Sequence, residues 1–279
     1  MDERALYLDL MKRCLTNWIY GDEETIVISP KRNFFKQMIV KFFRSFGLYL
    51  VRKRMFQEEL RRMGRDWEDG FGYPQAHTMI GLRRLDNIQF CMEDILQNKI
   101  PGDFIECGVW RGGAIIFMRA VLKAHGINDR TVWGADSFQG FPSSLKTTDV
   151  LDKDFMDSYF SKDSANLITV PVAKVKSNFE RYGLLDDQVR FLEGWFKDTL
   201  PSAPVQNLAL LRLDGDLYES TMDALVHLYP KLSVGGYVIV DDFCLPSCRQ
   251  AVLSFREEHK IEDPMVEIDR DSVYWKRLQ

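Results

Sequence analysis

Between residue 76 and the C-terminus, short apolar runs alternate with longer stretches whose apolar residues recur at helical spacing. His77 to Gln97 reads as a helix, with Met79, Ile80, Leu82, Leu85, Ile88, Phe90 and Ile95 on one side. Pro101-Gly102 breaks the chain after it. Strands are expected at Asp103 to Cys107, Thr131 to Asp136, Gln188 to Leu192, Asn207 to Leu213 and Gly236 to Asp241. The helical stretches between and after them run Gly112 to His125, Lys174 to Tyr182, Glu219 to Lys231 and Ser247 to His259. Two final runs, Met265 to Ile268 and Ser272 to Trp275, suit an antiparallel hairpin. Such alternation implies an α/β fold, a mostly parallel sheet of about seven strands with helices on both faces.

Residues 1 to 75 differ and read as an N-terminal helical extension for oligomer or lid contacts, with residues 76–279 as the main domain. Residues 31–54 hold eight Lys or Arg and no acid, interleaved with Phe34, Phe35, Phe42, Phe43, Phe46, Leu48 and Leu50. This basic amphipathic pattern suits a helix packed on the main domain or on a second subunit, and less well a membrane surface or an anionic substrate. The polar, aperiodic stretch from Pro142 to Leu167 is long enough for a lid or substrate loop.

Composition narrows the class. Hydrophobic residues make up 46% and charged residues 28% of 279, the profile of a globular enzyme-sized domain. A net charge of -4 gives no pull toward nucleic acid. Five scattered cysteines argue for free thiols in a reducing compartment, and Cys244 and Cys248 lack a second pair for zinc. The N-terminus carries no secretory signal and no apolar run reaches membrane-spanning length, so a cytoplasmic location is expected.

In open α/β sheets, ligands sit beyond the carboxyl ends of the strands. The first of these strands ends in Glu106-Cys107-Gly108-Val109-Trp110-Arg111-Gly112-Gly113. Glycines there admit close backbone approach to a ligand, and a helix opens directly after them. The spacing is not G-x-G-x-x-G, and Glu106 suits a cationic amino group better than a pyrophosphate. Asp136, followed by Ser137, could accept both hydroxyls of a ribose, or cap a helix. Glu193-Gly194-Trp195-Phe196 could wall an adenine ring, or the aromatics could belong to the core.

The next two strands end in acids: Asp214 and Asp216 after LALLRL, Asp241 and Asp242 after GGYVIV. On neighbouring strands about 5 Å apart these carboxylates would meet. Four of them cannot all ionise in a dry cleft without a cation, and a hard divalent ion such as magnesium takes oxygen ligands. Asp214, Asp241 and Asp242 are assigned to the metal. Asp216, expected on the strand and nearer the rim, is the candidate base. A metal beside a vicinal diol would make a hydroxyl nucleophilic.

The segments AHTMIGLRRLDNIQF, ECGVWRGGAIIFMRAVL, DSFQGFP, RYGLLDDQVRFLEGWFKDTLP, LLRLDGDLYESTMDAL and GGYVIVDDF resemble the macrocin O-methyltransferase (TylF-type) family over about residues 70 to 279. The resemblance implies a three-layer, Rossmann-like class I methyltransferase fold. It also implies S-adenosylmethionine and magnesium as cofactors, a sugar hydroxyl on a glycosylated natural product as acceptor, and a homodimer or larger homo-oligomer. It places metal ligands at Asp214, Asp241 and Asp242 and a base at Asp216. It suggests that Thr78 and Met79 cover the donor, beside Glu106, Gly108, Arg111, Gly112, Asp136, Ser137, Gly194, Trp195 and Asp214. The alternatives are a non-sugar diol as acceptor, a non-catalytic S-adenosylmethionine-binding protein, or a nicotinamide enzyme on a similar sheet.

Overall fold

The computed structural model describes residues 2–20, 23–27, 34–48, 50–55, 75–141, 152 and 168–279. Five strands lie parallel: β3 (Asp103–Cys107), β4 (Val132–Asp136), β5 (Val189–Glu193), β6 (Leu208–Leu213) and β7 (Leu232–Val240). The antiparallel β9 (Val273–Lys276) and β8 (Val266–Glu267) complete a seven-stranded sheet ordered β5-β4-β3-β6-β7-β9-β8. The chain moves outward from β3 through β4 to β5, then returns to the other side of β3 for β6. Between β3 and β6 the strand order therefore reverses, which opens a crevice at their carboxyl ends.

The two faces of the sheet bury separate cores. One core joins α3 (Leu82–Gln97), α4 (Gly113–Ala124) and α5 (Val172–Arg181) through Ile88, Ile95, Phe117 and Phe179. The other joins α7 (Tyr218–Leu228) and α8 (Pro246–Glu258), preceded by a single turn α6 (Phe196–Thr199), through Leu225, Val252, Phe255 and Trp275. All six β6 residues are buried, which is why five of the six are apolar and the strand does not alternate.

Three differences from the sequence reading have physical causes. The helix expected from His77 starts at Leu82, with Gly81 as its N-cap. Gly113 N donates to His77 O at 2.9 Å, which pins residues before Gly81 to α4 instead of letting them coil. The extension is not purely helical. It carries α1 (Glu3–Leu15) and α2 (Phe34–Ser45), but also an antiparallel pair, β1 (Glu23–Val27) with β2 (Val51–Met55). The basic residues of β2 lie on a strand where the sequence pattern suits a helix face. Finally, α1 lies on α4 and sends Leu8, Met11 and Leu15 into the first core.

The aromatic residues of α2 do not pack into the chain's core. Phe34, Phe35 and Phe42 are exposed, as is Phe46 just after the helix, and Val40 is the helix's one buried residue. The stretch 142–167 lies outside the described residues except for Asp152. No described helix is long and apolar enough to cross a membrane. The five cysteines are free thiols.

Candidate active site

Hydrogen bonds continue past the strand ends and build the rim of the crevice. Gly108 N donates to Ala135 O at 2.9 Å, Asp214 N to Cys107 O at 2.8 Å, and Asp241 N to Leu213 O at 2.8 Å. Gly194 N reaches Asp136 O at 2.9 Å. The residues after β3, β4, β6 and β7 are thereby held side by side. Gly108 has φ +95, and a Cβ there would stand 1.7 Å from Asp214 O. No other residue type fits that approach of the glycine loop to β6. Gly112, with φ +89, is the N-cap of α4, so the loop feeds straight into a helix N-terminus.

Asp136 organises this loop. Its Oδ2 accepts from Val109 N at 2.7 Å and Trp110 N at 3.4 Å, and its Oδ1 from Phe138 N at 2.6 Å. It caps no helix. Ser137 is buried and donates to Gly140 O at 2.8 Å. Thr78 is buried against Gly113, while Met79 is 47% exposed and free to meet a ligand. Trp195 is half-buried at the start of α6, with its carbonyl accepting from Thr199 N.

The acids come together. Asp214, Asp241 and Asp242 each offer a carboxylate oxygen, and the three lie within 4.8 Å of one another. Asp216 N donates to Asp242 Oδ2 at 3.2 Å, so all four candidate acids share one cluster. Asp216 itself is not on a strand, as had been expected. β6 stops at Leu213 and Asp216 sits in a left-handed turn with φ +59.

Two cations unforeseen in the sequence lie inside this cluster. Arg212, fully buried on β6, pairs with Glu106, with Asp241 Oδ1 and, at 2.7 Å, with Asp214 Oδ2. Arg84, at the start of α3, reaches Asp241 Oδ2 at 2.6 Å. The expected amino-group ligand Glu106 is thus 2% exposed and already paired, with Oε2 lacking a hydrogen-bond partner among the described residues. Burial pushes the Glu106 carboxyl up to about 8, with Arg212 opposing and Asp214 and Asp241 adding to the rise. Desolvation and the neighbouring Asp214 and Asp241 raise Asp216 to about 8 as well. Asp214 and Asp242 are also raised, by burial first and by like charges second. Two guanidiniums therefore do not neutralise the rim, and the cluster remains short of positive charge.

Three hard oxygen donors from two adjoining strand ends, in a pocket with excess negative charge, fit a divalent cation. Arg212 bonds only the Oδ2 of Asp214, and neither oxygen of Asp242 is in an ion pair among the described residues, so ligand atoms remain after the ion pairs form.

Arg111 is directed elsewhere. Its guanidinium donates to Ala76 O at 2.8 Å and stacks over Trp110 at 4.2 Å. It lines a cavity of about 610 Å³ with His77, Lys174, Asn178, Arg181 and Tyr182, to which none of the rim acids contributes. His77 is held down to about 4 by burial and then by Arg111, Arg181 and Lys174. A further residue missed from sequence is Asp152. It is wholly buried and accepts from Tyr218 N at 2.7 Å and Glu219 N at 3.3 Å, capping α7 just beyond Asp216.

The reversal between β3 and β6, the glycine loop held by Asp136 and the antiparallel β9 give the class I methyltransferase fold, and the relatives and family make the chain an S-adenosylmethionine-dependent O-methyltransferase. The sequence profile of the macrocin O-methyltransferase (TylF) family matches residues 4–277, and the chain belongs to that family. It is 49% identical over 273 residues to a mycinamicin III 3''-O-methyltransferase from Micromonospora griseorubida, covering 98% of this chain and 96% of the relative. It is 48% identical over 275 residues to an 8-demethyl-8-(2,3-dimethoxy-alpha-L-rhamnosyl)-tetracenomycin-C 4'-O-methyltransferase from Streptomyces olivaceus, covering 99% and 94%. The solved structure of the O-methyltransferase NovP superposes with a TM-score of 0.80 at 45% identity, covering 99% of this chain and all of that one.

Proposed function

We propose that this enzyme methylates a sugar hydroxyl of a glycosylated small molecule, with a divalent cation held by Asp214, Asp241 and Asp242. The convergence of those three carboxylates within 4.8 Å carries the reading. The names of the relatives, which specify a mycinamicin and a rhamnosyl-tetracenomycin, support the acceptor class. When bound, the cation lowers the pKa of the acceptor hydroxyl. S-adenosylmethionine supplies an already activated methyl group, so the protein's main task is alignment.

The chain's residues divide that task. Gly108 and Gly112 admit the donor to the backbone, and Asp136 fixes the loop while its remaining lone pairs face the ribose. Ser137, Gly194 and Trp195 flank the adenosine, and Thr78 and Met79 cover it. Arg111 acts on this site through the loop backbone rather than by touching the donor. Glu106 supports Arg212. Asp216 takes the hydroxyl proton as it leaves: burial and the neighbouring Asp214 and Asp241 raise its affinity for a proton, and its ionised form is the one that accepts it. The exposed aromatic face of α2 supports association into a homodimer or larger homo-oligomer.

The test is turnover of S-adenosylmethionine against glycosylated natural products, including the acceptors named for the relatives, read by mass spectrometry. A product one methyl heavier is expected with magnesium, none with excess chelator, and none from Asp241→Asn. Donor binding by that variant should stay within a few-fold of wild type. Methylation that proceeds unchanged in chelator would remove the metal from the account.

A further inference from the structure

We propose that Arg84 is a positioning residue for the metal ligand Asp241, transmitting the geometry of the β8–β9 turn to the metal site. This rests on the preceding reading that Asp214, Asp241 and Asp242 hold a divalent cation.

Arg84 lies in the first turn of α3 and its side chain is 8% exposed. Its Nη1 donates to Asp241 Oδ2 at 2.6 Å. Its other donors face the turn between β8 and β9: Nε to Asp269 Oδ2 at 2.7 Å, Nη2 to Asp269 Oδ1 at 3.2 Å, and Nη2 to Asp271 Oδ2 at 3.2 Å. Asp269 is itself a fixed anchor. Its Oδ1 also accepts from Asp271 N, Ser272 N and Ser272 Oγ at 2.9 to 3.0 Å. Asp241 is then clamped at both ends, Oδ2 by Arg84 and Oδ1 by Arg212. Each oxygen keeps a lone pair for a cation, in a direction set by the two guanidiniums.

A planar guanidinium with divergent N–H groups can bridge three carboxylates at once, and an ammonium cannot hold that shape. Charge alone predicts no change when lysine replaces Arg84, and tighter metal binding only if the cation is removed, since a cation beside a metal ligand repels the metal. The two effects separate by experiment. Arg84→Lys keeps the charge and loses the fork. Asp269→Asn keeps Arg84 and its contact with Asp241, and weakens the anchor behind it.

The measurement is Mn²⁺ titration of the full chain with S-adenosylhomocysteine bound, following free Mn²⁺ by electron paramagnetic resonance. Thermal melting and calorimetry of S-adenosylhomocysteine run alongside. Arg84→Lys should bind Mn²⁺ about tenfold or more weakly, the range for residues that orient a metal ligand. Asp269→Asn should shift in the same direction by less, with nucleoside affinity within twofold of wild type in both. A residue that merely pins the turn would lower the melting temperature and leave Mn²⁺ affinity alone. Wild-type Mn²⁺ affinity in both variants overturns the proposal, and if Arg84→Lys does not fold, wild-type affinity in Asp269→Asn does so by itself. Absence of any Mn²⁺ binding by the wild-type chain would instead strike the metal reading underneath.

Discussion

Asp216 occupies the left-handed region at φ +59, which costs a non-glycine residue on the order of 1 kcal/mol. Two hydrogen bonds hold it there: its N–H donates to Asp242 Oδ2, and Ser247 Oγ donates to its carbonyl at 3.1 Å. Strain maintained by its neighbours suits a residue kept for chemistry rather than for stability. Asp216→Asn should lower turnover by about a hundredfold or more while donor affinity stays unchanged. Asp216→Gly should melt at or above the wild-type temperature and be equally inactive. A glycine variant that turns over at the wild-type rate places the base elsewhere. His77 gives a pH prediction. Its folded pKa of about 4 lies below the unfolded value, so the unfolded chain takes up this proton first as pH falls. Stability from the neutral ring is complete above about pH 6.5 and is lost between there and pH 4. His77→Gln should flatten the melting curve across that window, and an unchanged slope would show that the ring titrates normally.

At the scale of elements, the cap on α7 is the most testable feature. Asp152 satisfies the first free N–H groups of that helix, and the helix carries the turn in which Asp216 sits. Asp152→Ala should destabilise the protein by about 1 kcal/mol in chemical denaturation and reduce turnover as well. No change in either would disconnect residue 152 from the active site. The strands were legible because β3, β4, β6 and β7 are apolar runs closed by acid or glycine, and such punctuation needs no long-range information. The two arginines were not. Arg212 is hidden within an apolar run, and Arg84 meets Asp241 from 157 positions away. Reading strand ends found the negative charges and missed the positive ones that share their space. Asp216 departs from the strand alternation expected of it because β6 ends at Leu213 and the chain turns after Gly215. The β1–β2 pair is not legible because Arg52, Lys53 and Arg54 of β2 also continue the basic pattern of residues 31–54.

Across the whole molecule, the sheet reversal between β3 and β6 sets the glycine loop beside the acids, and α3 links the acids to the C-terminal turn through Arg84. The N-terminal α1 is part of the same core, so the family match from residue 4 onward has a structural counterpart. The claim on which the rest depends is a divalent cation between β6 and β7, next to the donor. A crystal soaked with S-adenosylhomocysteine and Mn²⁺, with data collected to record the anomalous signal of manganese, tests it most directly. The account predicts one strong anomalous peak bounded by the carboxylates of Asp214, Asp241 and Asp242, lost in Asp241→Asn. Nucleoside density in the crevice with no manganese signal between those three side chains would contradict it.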